Sequence, residues 1–92
     1  MAVSIKIPTP LRKFTAGKDS VEVPAGTVGT ALRDLEAQHP GMWTKICDDE
    51  GKVRRFINVY AGDEDIRFLQ GLDTPIADGA DISIIPAIAG GC

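Results

Sequence analysis

The chain has one histidine, two cysteines and five aromatic side chains in 92 residues. One His and two Cys cannot fill the four positions of a usual Cys/His zinc site, and two Cys do not make a disulfide framework. So few aromatics leave little for base-stacking platforms. Basic residues are also the minority, ten against thirteen acids, for a net charge of −3 and a pI near 4.9. A nucleic-acid binder normally carries a basic face that displaces counterions, so that class is excluded. Long apolar runs are missing too: Ile84–Ala89 is interrupted by Pro86 and falls far short of the ~20 residues that span a bilayer. The first residues, Met1-Ala2-Val3-Ser4-Ile5-Lys6-Ile7, show neither the basic nor the apolar region of a signal peptide. The expectations are a cytoplasmic chain with reduced thiols, no membrane and no nucleic-acid partner.

What is present is ordinary for a globular chain: 43% hydrophobic and 25% charged residues, enough for one domain with one core. Val3, Ile5 and Ile7 alternate with Ser4 and Lys6, the pattern of a half-buried strand ended by Pro8 and Pro10. A polar loop, Arg12 to Asp19, leads to a second strand at Ser20–Val23. Thr27 is placed to cap a helix whose apolar stripe is Val28, Ala31, Leu32 and Leu35, and Pro40-Gly41 stops it. Met42–Cys47 fits a short helical turn with Trp43 and Ile46 inward. Val53–Tyr60, Ile66–Phe68 and Asp81–Ile85 read as strands, with turns at Asp48–Lys52, Ala61–Asp63 and Ile76–Gly79. The order β-β-α-β-β-β predicts an α+β fold, a mixed sheet with one principal helix across one face. Val3, Ile5, Ile7, Val21, Val23, Val28, Leu32, Leu35, Ile57, Val59, Ile82 and Ile84 form the predicted core.

After Pro86 come Ala87-Ile88-Ala89-Gly90-Gly91-Cys92, small and uncharged. Two successive glycines permit a close backbone approach that a Cβ would block, as entry into a narrow channel requires. The ordinary alternative is a frayed terminus.

The whole chain resembles the ubiquitin-like β-grasp sulfur carriers, the family of ThiS, MoaD and CysO. Arg55-Phe56-Ile57-Asn58-Val59-Tyr60, Asp63-Glu64-Asp65-Ile66-Arg67-Phe68, Ile76-Ala77-Asp78-Gly79 and Ile85-Pro86-Ala87-Ile88-Ala89-Gly90-Gly91 look most like the CysO branch. The resemblance implies a β-grasp domain over residues 1–86 and a flexible tail over residues 87–92, with no catalytic residues of its own. It implies that the Gly91 carboxylate is adenylated by an E1-like enzyme of the MoeB/ThiF type at the expense of ATP, with no cofactor bound to the carrier. Sulfur then displaces AMP to give a thiocarboxylate on Gly91, and Ala89, Gly90 and Gly91 are the residues recognised. Cysteine is the implied product, made with a PLP-dependent cysteine synthase-like enzyme. Molybdopterin, a thiocarboxylate siderophore and homocysteine are alternative destinations, and conjugation to lysines as a protein modifier is a reading of a different class.

Carriers of this family mature to a terminal Gly-Gly, whereas here Cys92 follows Gly91, and an amide-bound glycine cannot be adenylated. Three readings stand. Cys92 is a pro-residue cut off at Gly91–Cys92 by a JAMM-type zinc metalloprotease, or the bond mimics the cysteine adduct that the same protease class releases, or Cys92 is an added, exposed thiol.

The remaining candidates read as structural. Cys47 lies on an apolar face and suits a small core residue; His39 sits at a helix end, where the dipole favours it. Arg54 and Arg55 suit a solvated strand edge, and Asp63-Glu64-Asp65 lacks the spacing of a calcium loop. From Gly62 onward there are six acids and one base, Arg67. Divided by chain order, the acidic half carries the tail, which predicts a basic docking surface on the activating enzyme.

Overall fold

A computed structural model describes residues 2–86; the tail positions Ala89, Gly90, Gly91 and Cys92 lie outside the described residues. In chain order the elements are β1 (Val3–Lys6), β2 (Ser20–Val23), β3 (Gly26–Thr27), α1 (Val28–Gln38), α2 (Met42–Ile46), β4 (Ile57–Ala61), β5 (Glu64–Asp65), β6 (Pro75–Ile76) and β7 (Asp81–Pro86). Single 3-10 helices cover Thr9–Thr15, Ile66–Phe68 and Gly71–Asp73.

Alternation along β1 sends Val3 and Ile5 into the core and Lys6 to solvent. β1 pairs antiparallel with β2, Val3 opposite Val23 and Ile5 opposite Val21. It pairs parallel with β7, Ile5 opposite Ile82. β7 in turn pairs antiparallel with β4, from Ile57 opposite Pro86 to Ala61 opposite Ile82. The five-stranded order is β2-β1-β7-β4-β5, with a two-stranded β3–β6 ribbon beside it. This is the mixed β-grasp sheet the sequence predicts.

α1 begins at a reciprocal cap: the Thr30 N–H donates to the Thr27 hydroxyl at 3.2 Å and the Thr27 N–H donates to the Thr30 hydroxyl at 2.9 Å. Its stripe of Val28, Ala31, Leu32 and Leu35 is buried with the inward residues of β1, β2, β4 and β7 in one cluster. All twelve predicted core residues belong to it, joined by Leu11, Met42, Ile46, Cys47, Ile66 and Ile76. The chain then turns at Gly41, whose φ of +102° suits glycine. The Glu36 carboxylate holds that turn by accepting from the N–H groups of Gly41 (3.1 Å) and Trp43 (2.8 Å).

Several expectations are corrected. The first half of the Arg12–Asp19 loop belongs to the Thr9–Thr15 3-10 helix, because Pro10 lies within that helix's first turn, where a missing N–H is harmless, and because Leu11 and Thr15 are buried. Ile66–Phe68 is a 3-10 turn rather than a strand: the Asp65 carboxylate accepts the Arg67 N–H at 2.8 Å and curls the backbone. The strand expected from Val53 starts at Ile57; Val53 instead bridges Cys47. Trp43 is only partly buried, with the Arg33 guanidinium 4.7 Å from its ring centroid. No helix among the described residues is long and apolar enough to cross a membrane.

Candidate functional site

The site of interest is the end of β7, where the chain leaves the sheet towards Gly91. Two apolar doublets meet there, Ile84-Ile85 on β7 and Phe56-Ile57 at the start of β4. A strand can bury only every second side chain, so Ile84 and Ile57 enter the core while Ile85 and Phe56 stay about half exposed, at 48% and 51%. Pro86 lies opposite Ile57. Phe56, Ile57 and Pro86, together with Pro10, Leu11 and Thr44, line a groove of about 330 Å³ edged by Lys45 and Arg54.

Arg67 braces this end from the far side of β4. Its guanidinium donates to the Ile57 carbonyl at 2.7 Å, to Asn58 Oδ1 at 3.0 Å and to the Arg54 and Arg55 carbonyls at 3.3 and 3.4 Å. Arg54 in turn donates from Nε to the Thr44 carbonyl at 2.9 Å, tying the approach to β4 to α2. In the sequence Phe56, Ile85 and Arg67 read as strand residues within the segments that carry the family resemblance, with no role at the tail exit. The signal for the first two was the doublet itself, which cannot be buried whole.

Cys47 is 1% exposed. Burial pushes its thiol up to about 11, assisted by the nearby Asp48 carboxylate and opposed by Arg33 and Arg54. It is a core residue and no nucleophile at neutral pH. His39 ends α1, its N–H donating to the Leu35 carbonyl at 2.8 Å. Asp63 lies in the β4–β5 turn while Glu64 and Asp65 are β5 itself, paired with Ala61 and Tyr60, and among the described residues no group of three or more His, Cys, Asp or Glu is arranged to hold a metal.

Strand direction separates part of the acidic later chain from the tail exit. β4 and β7 run antiparallel, so Gly62 lies at the start of β7, donating to the Asp81 carbonyl at 2.9 Å. Asp63, Glu64 and Asp81 therefore occupy the end of the sheet away from Pro86. The charged side chains bordering the groove at the tail exit are Lys45 and Arg54.

Comparison with known proteins follows the same outline. The ThiS family model matches residues 5–91. The sulfur carrier protein CysO of Mycobacterium tuberculosis is 46% identical over 93 aligned residues, covering 99% of this chain and all of that protein. The crystal structure of an Amycolatopsis orientalis BexX/CysO complex contains a chain with 46% identity and a TM-score of 0.92, covering 98% of this chain and 100% of its own. Small archaeal modifier protein 3 of Haloferax volcanii is 37% identical over 65 residues, 71% of this chain and 70% of that protein.

Proposed function

The chain belongs to the ThiS family and is a homologue of the sulfur carrier protein CysO, and from that premise we propose that Gly91 carries sulfur as a C-terminal thiocarboxylate. The carrying observation is that the family match runs to residue 91 and leaves Cys92 outside it. A carboxylate is a poor acyl donor because oxide is a poor leaving group. An E1-like enzyme of the MoeB/ThiF type converts Gly91 and ATP to the acyl-adenylate and pyrophosphate. A sulfide equivalent then attacks the carbonyl carbon and AMP departs. The product, –C(O)S⁻, is ionised at neutral pH and nucleophilic.

A Gly91 held in an amide has no carboxylate to adenylate, so the Gly91–Cys92 bond is hydrolysed first, by a JAMM-type zinc metalloprotease. The destination proposed for the sulfur is cysteine biosynthesis with a PLP-dependent synthase, a reading supported by the homology to CysO. The same protease class then serves twice, because a cysteine joined through its amine to Gly91 is chemically the encoded bond. The likeness to an archaeal modifier protein supports one second reading, amide linkage of Gly91 to lysines.

The test is activation of two chains, one ending at Gly91 and one retaining Cys92, by the E1-like enzyme of the same organism with ATP and sulfide. The shorter chain gains the mass change of oxygen replaced by sulfur and the longer chain stays unchanged until the protease is added. Equal activation of both without protease overturns the processing step. Lysine-linked conjugates in the native host, with no thiocarboxylate, would favour the modifier reading.

A further inference from the structure

We infer that the tail-exit end of this acidic chain is a basic docking surface, and that the face it meets on the activating enzyme is acidic. The inference rests on the carrier reading above and concerns the polarity of the contact. Lys45 and Arg54 border the groove that contains Pro86. Lys13 joins them: its ammonium and that of Lys45 lie 5.4 and 5.2 Å from the centroid of one ring, Phe14. Arg55, exposed, immediately precedes the half-exposed Phe56. Asp48 is the acid close enough to Arg54 for its carboxyl to be lowered, chiefly by the backbone N–H of Lys52 and also by the N–H of Glu50 and the charge of Arg54. Its Oδ1 is already engaged by those two N–H groups, at 3.0 and 2.9 Å.

Asp48 offsets part of the Arg54 charge, whereas three acids of the later chain, Asp63, Glu64 and Asp81, are too distant to contribute here. Asp81 is five residues from Pro86 along β7, about 17 Å at strand rise. Asp63 and Glu64 lie at that same remote end. The Debye length at physiological ionic strength is about 8 Å, so charges there are largely screened at the exit. A partner approaching the tail meets the local cations, not the net charge of −3. The occupant that fits is a protein surface with carboxylates opposite Lys13, Lys45 and Arg55 and a small aliphatic side chain for the groove between Leu11 and Phe56.

The experiment measures affinity of the chain ending at Gly91 for the MoeB/ThiF-type enzyme of the same organism at about 50 and about 500 mM salt. Combined Lys13→Glu, Lys45→Glu and Arg55→Glu should weaken binding about tenfold or more at low salt, with the loss shrinking at high salt. Lys13→Arg, Lys45→Arg and Arg55→Lys should restore it. Asp63→Lys with Glu64→Lys should stay within about twofold of wild type. Should the triple variant fail to fold, Lys45→Glu alone, at an exposed site, tests the same direction. Unchanged or tighter binding by the Glu variants, or equal loss from the Asp63/Glu64 variant, overturns the inference while normal adenylation leaves the carrier reading intact. A wild-type chain that is neither bound nor adenylated overturns both.

Discussion

Arg67 completes the edge of β4 at Ile57: β5 pairs only with Tyr60 and Ala61, and the Arg67 guanidinium supplies a donor to the Ile57 carbonyl at 2.7 Å. One planar side chain thereby replaces what would be the continuation of a strand, and holds the strand start that faces Pro86. Arg67→Ala should lower stability by about 1–3 kcal/mol, read as a lower urea midpoint at constant slope. Arg67→Lys should recover only part, because one ammonium cannot span Asn58 and three carbonyls. A change below about 0.5 kcal/mol, the range of ordinary surface substitutions, would show that the guanidinium does not hold this edge.

Leu32 is fully buried on α1. Leu32→Ala should cost roughly 2–5 kcal/mol, a large share of the stability of so small a domain. Chemical denaturation at neutral pH measures it, and a surface-like value would remove α1 from the core.

Cys47 makes stability depend on alkaline pH. Its folded thiol titrates near 11, above the ordinary 9.0, so the folded chain holds this proton more tightly than the unfolded one. Below about pH 9 both states are protonated and the contribution is complete. Between about 9 and 11 the unfolded thiol ionises first, and stability falls as pH rises. The readout is the stability difference between wild type and Cys47→Ala, which isolates this thiol and should narrow across that window. A difference independent of pH would contradict the buried thiol.

Gly90→Ala tests the narrow-channel argument. The buried apolar cluster closes between Val3 and Ile84, so melting should match wild type, while adenylation of the Gly91-ending chain slows severely through a Cβ clash in the enzyme. Full activation rates would refute the channel.

The secure parts of the fold were legible because one local signal fixed each of them: period-two alternation for β1, the i, i+3, i+4, i+7 stripe and Thr27 cap for α1. Pro10 misled because proline breaks a strand and opens a 3-10 helix equally well. Ile66 was apolar in both readings, and the Asp65 carboxylate decided for a turn. The surroundings of the tail exit were not legible in the same way, because a strand's alternation does not say which neighbours meet at its end. Charge sorting in particular is a property of strand direction: Asp63 and Pro86 share the later part of the chain and opposite ends of the sheet.

The central position of β7 sets a rule for biogenesis. It joins β1 on one side and β4 on the other, so before it arrives the sheet exists only as two separate fragments, β2–β1 and β4–β5. On the ribosome β1 waits for β7, and the chain through Pro86 has to clear the exit tunnel before the core closes. The segment bearing Gly91 directly follows that last strand. A lesion that unpairs β7 therefore splits the whole sheet into its two fragments instead of fraying an edge, and integrity at the strand preceding the tail is integrity of the entire core.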